Sequence, residues 1–502
     1  MKAFFLLLVS MCLTSSIFSQ AGELDTSYGD GGFLTLNLPY SYDNTYPASL
    51  VADPAGGVYG LVTTEFFLAF YHVVVVHLNN DGSGEEYLED CSGIQETAYA
   101  SAIQSNGKLL TLGRGDPYCY TCSSTDDHSI IMRFNEDHTC DTGFGDPVLS
   151  CDETECPTGV AYNAFYNEFI SYEMRDMVVL TDESILVGGE NIAHDDIMIA
   201  KLTDNGLNDE TFGTGGFVTI AAPGDQYLIK MTPLTSGKVI VSGFYTAPLE
   251  TESRMMLAKM NANGTLNTSF GTSGFAYSSV SNTGGRSHVI TNTGNIFQLG
   301  YDLTSDQIII AKYNANGNLE TGFDGDGYAY YKFEDFDTGP GDIILQADGK
   351  MLIIGEIYKT GERGVFVLRI NADGTIDETF GTDGYFTDTE NVRSYSKNNT
   401  VITSDNMLTV QAENIDGDVA MFKLSLENPE PCSEAPSGLF ATNITTNKAK
   451  LNWTADAGAL KYKVQYRPLT SPVWITVNAT TNLKLITGLA ANTTYKYRVR
   501  SQ

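Results

Sequence analysis

Apolar and polar residues follow one recurring order along most of this chain of 502 residues. Two apolar runs flank a tight polar turn, as in "IILQADGKMLIIG" from Ile343. Asn-Gly and Asp-Gly pairs accept the positive φ angles of two-residue hairpin turns, so this segment predicts a β-hairpin. A further apolar run such as "QIIIAKYNANG" from Gln307 follows, and a short one such as "GGFVTI" from Gly215 completes the set. Each repeat therefore predicts four short strands.

A glycine-rich phrase, which we call the marker, identifies each repeat. In "IDETFGTDGY" from Ile376 it combines an acidic residue, an aromatic residue three positions later and several glycines. The acidic or Asn position recurs in steps of 60, 56, 68, 58, 53 and 57 residues, at Asp25, Glu85, Asp141, Asp209, Asn267, Glu320 and Asp377. The second and third markers depart from the pattern. Seven markers predict seven repeats, and we expect each marker to connect the last strand of one repeat to the first strand of the next.

The marker has a structural and a chemical interpretation. Its Asn-Ala-Asp-Gly opening is typical of turns in which Asx side chains bond to nearby backbone. Its aromatic residue is expected to pack between repeats, at Tyr28, Phe144, Phe212, Phe270, Phe323 and Phe380. The alternative is calcium, for which "DGDG" at 324–327 offers oxygen ligands. No segment has the full EF-hand spacing, so we predict structural turns and no cofactor.

The apolar runs indicate how the repeats assemble. Ile308, Ile309, Ile310 and Ala311 are apolar without alternation, which predicts a strand that is buried on both faces. Small sheets become buried on both faces when they stack around a ring, so we predict an all-β fold, a seven-bladed β-propeller of four-stranded blades. An open solenoid is the alternative, and it requires capping ends that the sequence does not show. The N-terminal strand either completes the last blade or leaves each blade sequentially complete.

The repeats also resemble a known family. "LNADGTIDETFGTDGYF" together with "QADGKMLIIG" resembles the delta-60 repeat family, secreted β-propeller-like repeats of bacteria. The resemblance covers roughly residues 24 to 428. It implies a propeller in an exported bacterial protein and carries no defined reaction.

The pattern of apolar and polar residues changes after "LENPEPCSEAPSG". Strands that alternate apolar and polar residues follow, with Trp453 and Tyr495 among them. This part resembles a fibronectin type III domain, in which Trp453 takes the place of the core Trp and Tyr495 that of the tyrosine corner. Only six of the seven strands of such an immunoglobulin-like sandwich precede Gln502, so we expect a domain truncated at its C terminus.

The N terminus, MKAFFLLLVSMCLTSSIFSQ, has the pattern of a signal peptide, because its apolar run is too short for a membrane span. We therefore predict a signal peptide at 1–20, a propeller at 21–428, a linker at 429–436 and the fibronectin type III domain at 437–502. The protein is expected to be secreted or displayed at the cell surface. With 62 acidic and 29 basic residues the net charge is −33, which excludes the basic footprint of a nucleic-acid binder. We expect a monomer without a membrane span.

Export favours paired cysteines. The candidates for disulfide bonds are Cys91, Cys119, Cys122, Cys140, Cys151 and Cys156, and their pairing does not follow from the sequence. Cys119 and Cys122 form a C-x-x-C that is compatible with zinc or redox chemistry. No second C-x-x-C and no suitable His pair accompany it, so we favour disulfides in a surface insertion.

Two long insertions, 113–127 and 145–176, belong to connections at the same end of the predicted ring. The second insertion is rich in aromatic residues that could stack on sugars or anchor a protein partner, namely Tyr162, Phe165, Tyr166, Phe169 and Tyr172. The alternative is that they only cover the rim of the ring and stabilise the loop. We expect His72 and His77, in or beside a strand, to be packed or solvent-facing.

Two functions remain open at this point. The first is a non-enzymatic binding or adhesion protein whose scaffold binds an extracellular polysaccharide or protein. The second is a carbohydrate-active hydrolase or lyase with acidic residues around the channel. No local catalytic motif is present, so no catalytic, cofactor-binding or metal residue is assigned from the sequence.

Overall fold

The computed structural model of the protein describes residues 4–5, 21–38, 44–66, 70–88, 95–115, 128–145, 160–161, 172–191, 196–222, 224–333, 335–427, 438–455, 462–469 and 475–501. The chain forms two compact units, one at Ala21–Leu426 and one that comprises Met1–Gln20 and Glu427–Gln502. Within the described ranges there is no helix of the length and hydrophobicity that a membrane span needs.

The larger unit contains seven antiparallel sheets, which we number as blades 1 to 7, with their strands given from inner to outer. Blades 1 to 3 are Asn44–Ala52, Val58–Phe66, Phe70–Leu78 and Glu86–Leu88; Gln95–Ile103, Leu109–Gly115, His128–Phe134 and Val160–Ala161; and Tyr172–Val179, Ile185–Asn191, Ile197–Leu202 and Phe217–Ile220. Blades 4 to 6 are Asp225–Pro233, Val239–Thr246, Ser253–Met260 and Phe275–Tyr277; Thr283–Ile290, Ile296–Asp302, Gln307–Tyr313 and Tyr328–Tyr331; and Asp337–Leu345, Met351–Lys359, Glu362–Ile370 and Tyr385–Asp388. Blade 7 has an inner strand in two pieces, Val392–Ser394 and Thr400–Ile402, followed by Met407–Asn414, Val419–Ser425 and Phe33–Thr35.

The two ends of the propeller unit meet in blade 7. Phe33–Thr35 pairs with Val419–Ser425, with Phe33 opposite Phe422. The turn that precedes this outer strand is also built from both ends, because the backbone N–H of Gly22 donates to the carbonyl of Ser425 at 2.7 Å. The N-terminal strand therefore completes the last blade, which resolves the two closure modes that the sequence left open.

The prediction for the position of the marker was wrong. In blade 6 the marker lies between Glu362–Ile370 and Tyr385–Asp388, and these two strands pair with each other. Ile376 bridges back to Ile370, because the turn between them reverses the chain. The marker therefore connects the third and outer strands of one blade instead of two successive blades.

The core consists of apolar clusters that join neighbouring blades around the whole ring. In the cluster that joins the last blade to the first, Val419 and Met421 pack with Leu50 and Val58. The ring is therefore closed, which excludes the open solenoid and confirms the seven-bladed propeller. The marker aromatics lie in six of these clusters, as expected, and each is at most 4% exposed: Tyr28, Phe144, Phe212, Phe270, Phe323 and Phe380. Burying one such ring contributes about 2–3 kcal/mol.

In three blades charged groups of the same blade hold the marker, through Asp141, Asp209 and Asp377. In blade 6, Oδ2 of Asp377 lies 2.7 Å from Nε of Arg369 and 2.8 Å from Nζ of Lys350. The guanidinium carbon of Arg369 lies 4.7 Å from the ring centroid of Phe380, which is a cation–π distance. Burial alone would raise the pKa of Asp377, but the hydrogen bonds from Lys350 and Thr379 and the charge of Arg369 outweigh it and lower the pKa to about 2.

The smaller unit is a β-sandwich of two sheets. One sheet contains Phe440–Thr442, Lys448–Asn452 and Leu483–Thr487, and the other contains Tyr462–Pro468, Ile475–Ala479 and Thr494–Ser501, with Phe4–Phe5 parallel to Thr494–Tyr495 at its edge. Trp453 is 2% exposed in the core. The hydroxyl of Tyr495 accepts a hydrogen bond from the backbone N–H of Ala490 at 2.9 Å, as in a tyrosine corner. Both sequence assignments are thus confirmed.

Candidate binding face and central channel

Strand direction assigns each connection to one of two ends of the ring. The hairpin turns between inner and second strands and the markers lie at one end, which we call the marker end. The connections between second and third strands, and those from an outer strand to the next blade, lie at the other end, which we call the loop end. The first long insertion, 113–127, belongs to a connection at the loop end. Contrary to the sequence interpretation, the second insertion contains the outer strand of blade 2, Val160–Ala161, so only the part that follows Ala161 belongs to a connection at the loop end.

The predicted site residues fall mostly outside the described residues. Tyr172 begins the inner strand of blade 3 and is opposite Asn191 in the sheet, whereas Tyr162, Phe165, Tyr166 and Phe169 lie outside the described ranges. Among the predicted disulfide cysteines only Cys140 is described. The backbone of Cys140 forms a β-bridge with Phe134 in the turn of blade 2. Its side chain is not a free thiol. The aromatic-loop and disulfide assignments therefore remain predictions.

The inner strands share an irregularity at one height. In blades 1 to 6 the pairing of the inner with the second strand shifts by one residue, as a β-bulge does. The residue that follows the shift is Ala100 in blade 2 and polar in the other five blades, at Ser49, Asp176, Lys230, Ser287 and Asp342. In blade 7 a longer excursion, residues 395–399, interrupts the inner strand instead. Different side chains therefore meet at equivalent positions around the channel.

Asp342 fixes the excursion of blade 7. One of its oxygens accepts a hydrogen bond from the Tyr395 hydroxyl at 2.9 Å and from the Asn398 backbone N–H at 2.6 Å. The other accepts from the Ser287 hydroxyl at 3.1 Å and lies 3.8 Å from Nζ of Lys230. Burial raises the pKa of Tyr395 well above its ordinary value, and the charge of Asp342 adds to this effect. These bonds join blades 4 to 7 in one buried network.

Lys397 crosses the channel. It belongs to the excursion of blade 7, and its Nζ donates to the carbonyl of Ile229 in blade 4 at 3.1 Å. Burial lowers the pKa of Lys397, and the charge of Asp176 partly opposes this. Burial raises the pKa of Asp176 to about 6, although Lys397, the backbone N–H of Met231 and Lys230 favour its ionised form. Burial in the channel thus favours the protonated form of the Asp176 carboxyl.

Two cavities lie near the axis of the ring. One, of about 150 Å³, is lined by the channel residues, including Asp176, Lys230 and Asp342. The other, of about 300 Å³, lies at the loop end of blades 1 and 2, and we call it the tyrosine pocket. Its lining comprises Tyr46, Pro47, Ala48, Thr63, Tyr71, Thr97, Ala98, Tyr99, Ser396 and Lys397. Aromatic side chains with a few polar groups are typical of the lining of ligand pockets.

The "DGDG" segment forms a turn. Asp326 accepts a hydrogen bond from the backbone N–H of Tyr328 at 2.9 Å, and Asp324 has a φ of 45°. In the part of the chain that the structure describes, the residues that bring three metal-ligating atoms together lie elsewhere, at His77, Glu86 and His138.

The channel residues were missed from the sequence. Asp176, Lys230 and Asp342 each interrupt an apolar run three residues before the inner strand ends in its hairpin turn. Aligning the hairpins of the seven repeats would have shown one column with a different polar residue in several blades. That column is the signal of residues that share an inward-facing position.

Two family models match the chain. A β-propeller family, "Domain of unknown function (DUF5122) beta-propeller", matches residues 235–270 and 346–380. "Fibronectin type III domain" matches residues 434–502. No curated protein has a matching sequence.

Solved structures resemble the chain at low identity. The β-propeller domain of the Trilobed protease from Pyrococcus furiosus has 10% identity and a TM-score of 0.40, covering 77% of this chain and 97% of that one. The NanB sialidase from Streptococcus pneumoniae has 10% identity and a TM-score of 0.37, covering 78% and 70%. A point mutant of that sialidase has 10% identity and a TM-score of 0.38, covering 79% and 70%. At these values the matches carry no information on activity. The chain is thus a β-propeller in which two segments match a propeller family described as of unknown function, followed by a segment that matches the fibronectin type III domain.

Proposed function

We propose that the protein is a secreted or cell-surface binding protein without enzymatic activity. Its ligand, an extracellular polysaccharide or protein, binds the loop end of the propeller. The observation that carries the proposal is the tyrosine pocket, which combines Tyr46, Tyr71 and Tyr99 with Lys397. Ligand sites commonly occupy loops and strand ends on a rigid scaffold, and the predicted aromatic loop belongs to the same end.

The surroundings of the pocket favour a ligand that stacks on aromatic rings. Tyr46 is 42% exposed, and its hydroxyl donates to Glu65 at 3.3 Å, so its ring is oriented while part of it contacts solvent. Such rings provide apolar area to sugar faces or to apolar protein side chains. The net charge of −33 opposes long anionic polymers, which favours neutral polysaccharides and basic or neutral proteins.

The channel itself is less suited to catalysis. Asp342 is already engaged by Ser287, Tyr395 and Asn398, which leaves it a structural role. The channel cavity of about 150 Å³ is below the roughly 300–1,000 Å³ of typical ligand sites. A ligand could enter the wider tyrosine pocket as it stands, whereas a substrate in the channel would need more space and would have to break the hydrogen bonds of Asp342.

A binding screen followed by titration tests the proposal. The purified chain is applied to an array of neutral and acidic glycans and to a panel of extracellular proteins, and retained ligands are measured by calorimetry. We expect the double variant Tyr46→Ala, Tyr71→Ala to lose at least tenfold in affinity. Tyr330→Ala is the matched control, because Tyr330 is 38% exposed on the outer strand of blade 5. Absence of any retained ligand, or equal losses in both variants, would count against the proposal.

A carbohydrate-active hydrolase or lyase is the second candidate, and one observation favours it. Asp176 has a pKa of about 6, which suits a general acid near neutral pH. Screening polysaccharides for products tests this function directly. Robust product formation that Asp176→Asn abolishes would replace binding by catalysis.

A further inference from the structure

One of the seven contacts between blades differs from the other six at the marker end. In the regular contact the turn glycine of one blade lies against the marker aromatic of the preceding blade. In blade 6, for example, a Cβ on Gly374 would lie 2.9 Å from the ring of Phe323, and the φ of Gly374 is 94°. The six regular pairs are Gly22 with Phe380, Gly82 with Tyr28, Gly206 with Phe144, Gly264 with Phe212, Gly317 with Phe270, and Gly374 with Phe323.

The contact between blades 1 and 2 lacks both members of this pair. Leu88 takes the position of the marker aromatic, three residues after Glu85. His138 takes the position of the turn glycine and keeps its left-handed backbone, with a φ of 66°. A non-glycine residue in this conformation is strained by roughly 1–3 kcal/mol, and such strain points to a role for the side chain.

A second histidine replaces another repeated residue at the same contact. The third strand of every other blade carries a Lys or Arg immediately before the residue that bridges to the marker: Arg133, Lys201, Lys259, Lys312, Arg369 and Lys423. Blade 1 has His77 at this position. The rings of His77 and His138 lie 4.9 Å apart between centroids. Two independent departures from the repeat thus place two imidazoles together.

Carboxylates complete the cluster. Nδ1 of His138 lies 3.0 Å from Oε2 of Glu86, and the three ligand atoms of His77, Glu86 and His138 all lie within 4.8 Å of one another. Ligands about 2.0–2.1 Å from a tetrahedral ion are about 3.3 Å apart, so small side-chain movements would bring them into place. Glu86 is 57% exposed, which gives an ion access from solvent.

The neighbours of the cluster are those of a metal site. Nε2 of His77 lies 2.9 Å from Oδ2 of Asp53, and the hydroxyl of Tyr59 lies 3.0 Å from Nε2 of His138. An imidazole that donates one ring N–H to a carboxylate or oxygen group presents its other nitrogen as a ligand of fixed orientation. Asp53 and Tyr59 therefore hold the two rings ready for an ion.

We propose that His77, Glu86 and His138 bind a divalent transition-metal ion, with zinc as the expected ion. Two imidazoles and one carboxylate are a nitrogen and oxygen ligand set that zinc accepts, and they leave a fourth position for water. The ion would join blade 1 to the turn of blade 2 at the contact where Leu88 replaces the marker aromatic residue. The site lies at the marker end and is independent of the tyrosine pocket.

Zinc itself is the probe for the test. The full chain, prepared without a polyhistidine tag and stripped with a chelator, is titrated with Zn²⁺ against a chromophoric competitor, and bound zinc is counted by mass spectrometry. We expect one ion per chain. His138→Gly and His77→Arg, which restore the residue types of the other blades, should each weaken binding by at least about 100-fold. His72→Gln, an exposed histidine on the same strand as His77, is the matched control and should bind like the wild type.

Stability provides a second readout that does not depend on the competitor. Saturating zinc should raise the melting temperature of the wild type and of His72→Gln, and leave His138→Gly unchanged. Circular dichroism of each stripped protein shows whether it is folded. Zinc binding that persists in His138→Gly and in His77→Arg would overturn the proposal, as would a wild type that binds no zinc.

Discussion

The marker end and the channel of the propeller are built in opposite ways. At the marker end six of the seven blade contacts repeat one design, with a buried aromatic ring, a glycine turn against it and, in most of them, a cation from the third strand over the ring. In the channel the inner strands present residues that differ between blades, such as Asp176, Lys230 and Ser287. A contact that every blade repeats serves the fold, because each blade needs it. Residues that differ between blades are not required by the repeated fold.

The largest expected effect concerns the repeated design. Phe380→Ala should destabilise the propeller by about 3–4 kcal/mol, because it leaves a cavity between blades 6 and 7 where the ring is fully buried. Urea unfolding of the full chain measures it. Phe217→Ala, at a ring that is 37% exposed, is the control and should cost less than about 1 kcal/mol. Equal losses at both positions would remove the special role of the marker.

The marker end and the channel should also respond oppositely to pH, and Asp176 represents the channel. Its folded pKa of about 6 exceeds the ordinary value of 3.8, so its contribution to stability is present below pH 4 and lost as the pH rises to 6. The loss is about 3 kcal/mol. Asp176→Asn should therefore gain stability relative to the wild type between pH 4 and 7, as measured by urea midpoints at each pH.

Asp377 represents the marker end and is the matched variant. Its folded pKa of about 2 is below the ordinary value, so its contribution is present above pH 4 and lost as the pH falls towards 2. Asp377→Asn should cost about 1–2 kcal/mol at pH 7 and nothing near pH 2. The same sign of pH dependence in both variants would contradict the distinction between the marker end and the channel.

Ligand affinity and stability should also respond differently to substitutions at the tyrosine pocket and at the marker end. The double variant Tyr46→Ala, Tyr71→Ala should lower affinity at least tenfold, about 1.4 kcal/mol, while its unfolding midpoint stays close to that of the wild type. Lys350→Met at the marker end should show the reverse, a lower midpoint and an unchanged affinity, because Lys350 bonds to Asp377. Calorimetry and urea unfolding of the same samples separate the two outcomes.

The smallest effect on stability is expected at the contact between blades 1 and 2, where His138 replaces the turn glycine. In zinc-free protein, His138→Gly should change the free energy of unfolding by no more than about 1 kcal/mol, and towards greater stability, because glycine relieves the strained backbone. Chemical denaturation with a chelator present measures it. A large destabilisation would mean that His138 is a packing residue.

The sequence predicted the number of blades, the four strands of each and the burial of the marker aromatics, because those features repeat and each repeat reinforces the others. It misplaced the marker, because a periodic sequence has no intrinsic starting point, and only the pairing of Phe33 with Phe422 shows where a blade begins. Tyr395 and Lys397 could not be found, since the excursion of blade 7 has no counterpart in the other repeats. The sequence does not pair His77 with His138, because the two residues are distant in sequence and only the fold brings their rings to 4.9 Å.

Hydrogen exchange of the full chain, with and without a ligand retained in the binding screen, tests the division between the two ends most directly. We predict that the ligand slows amide exchange at residues 44–48, 97–99 and 395–398 and leaves the markers unchanged. Slower exchange confined to the marker turns, such as residues 371–377, with none around Tyr46 or Lys397, would contradict it.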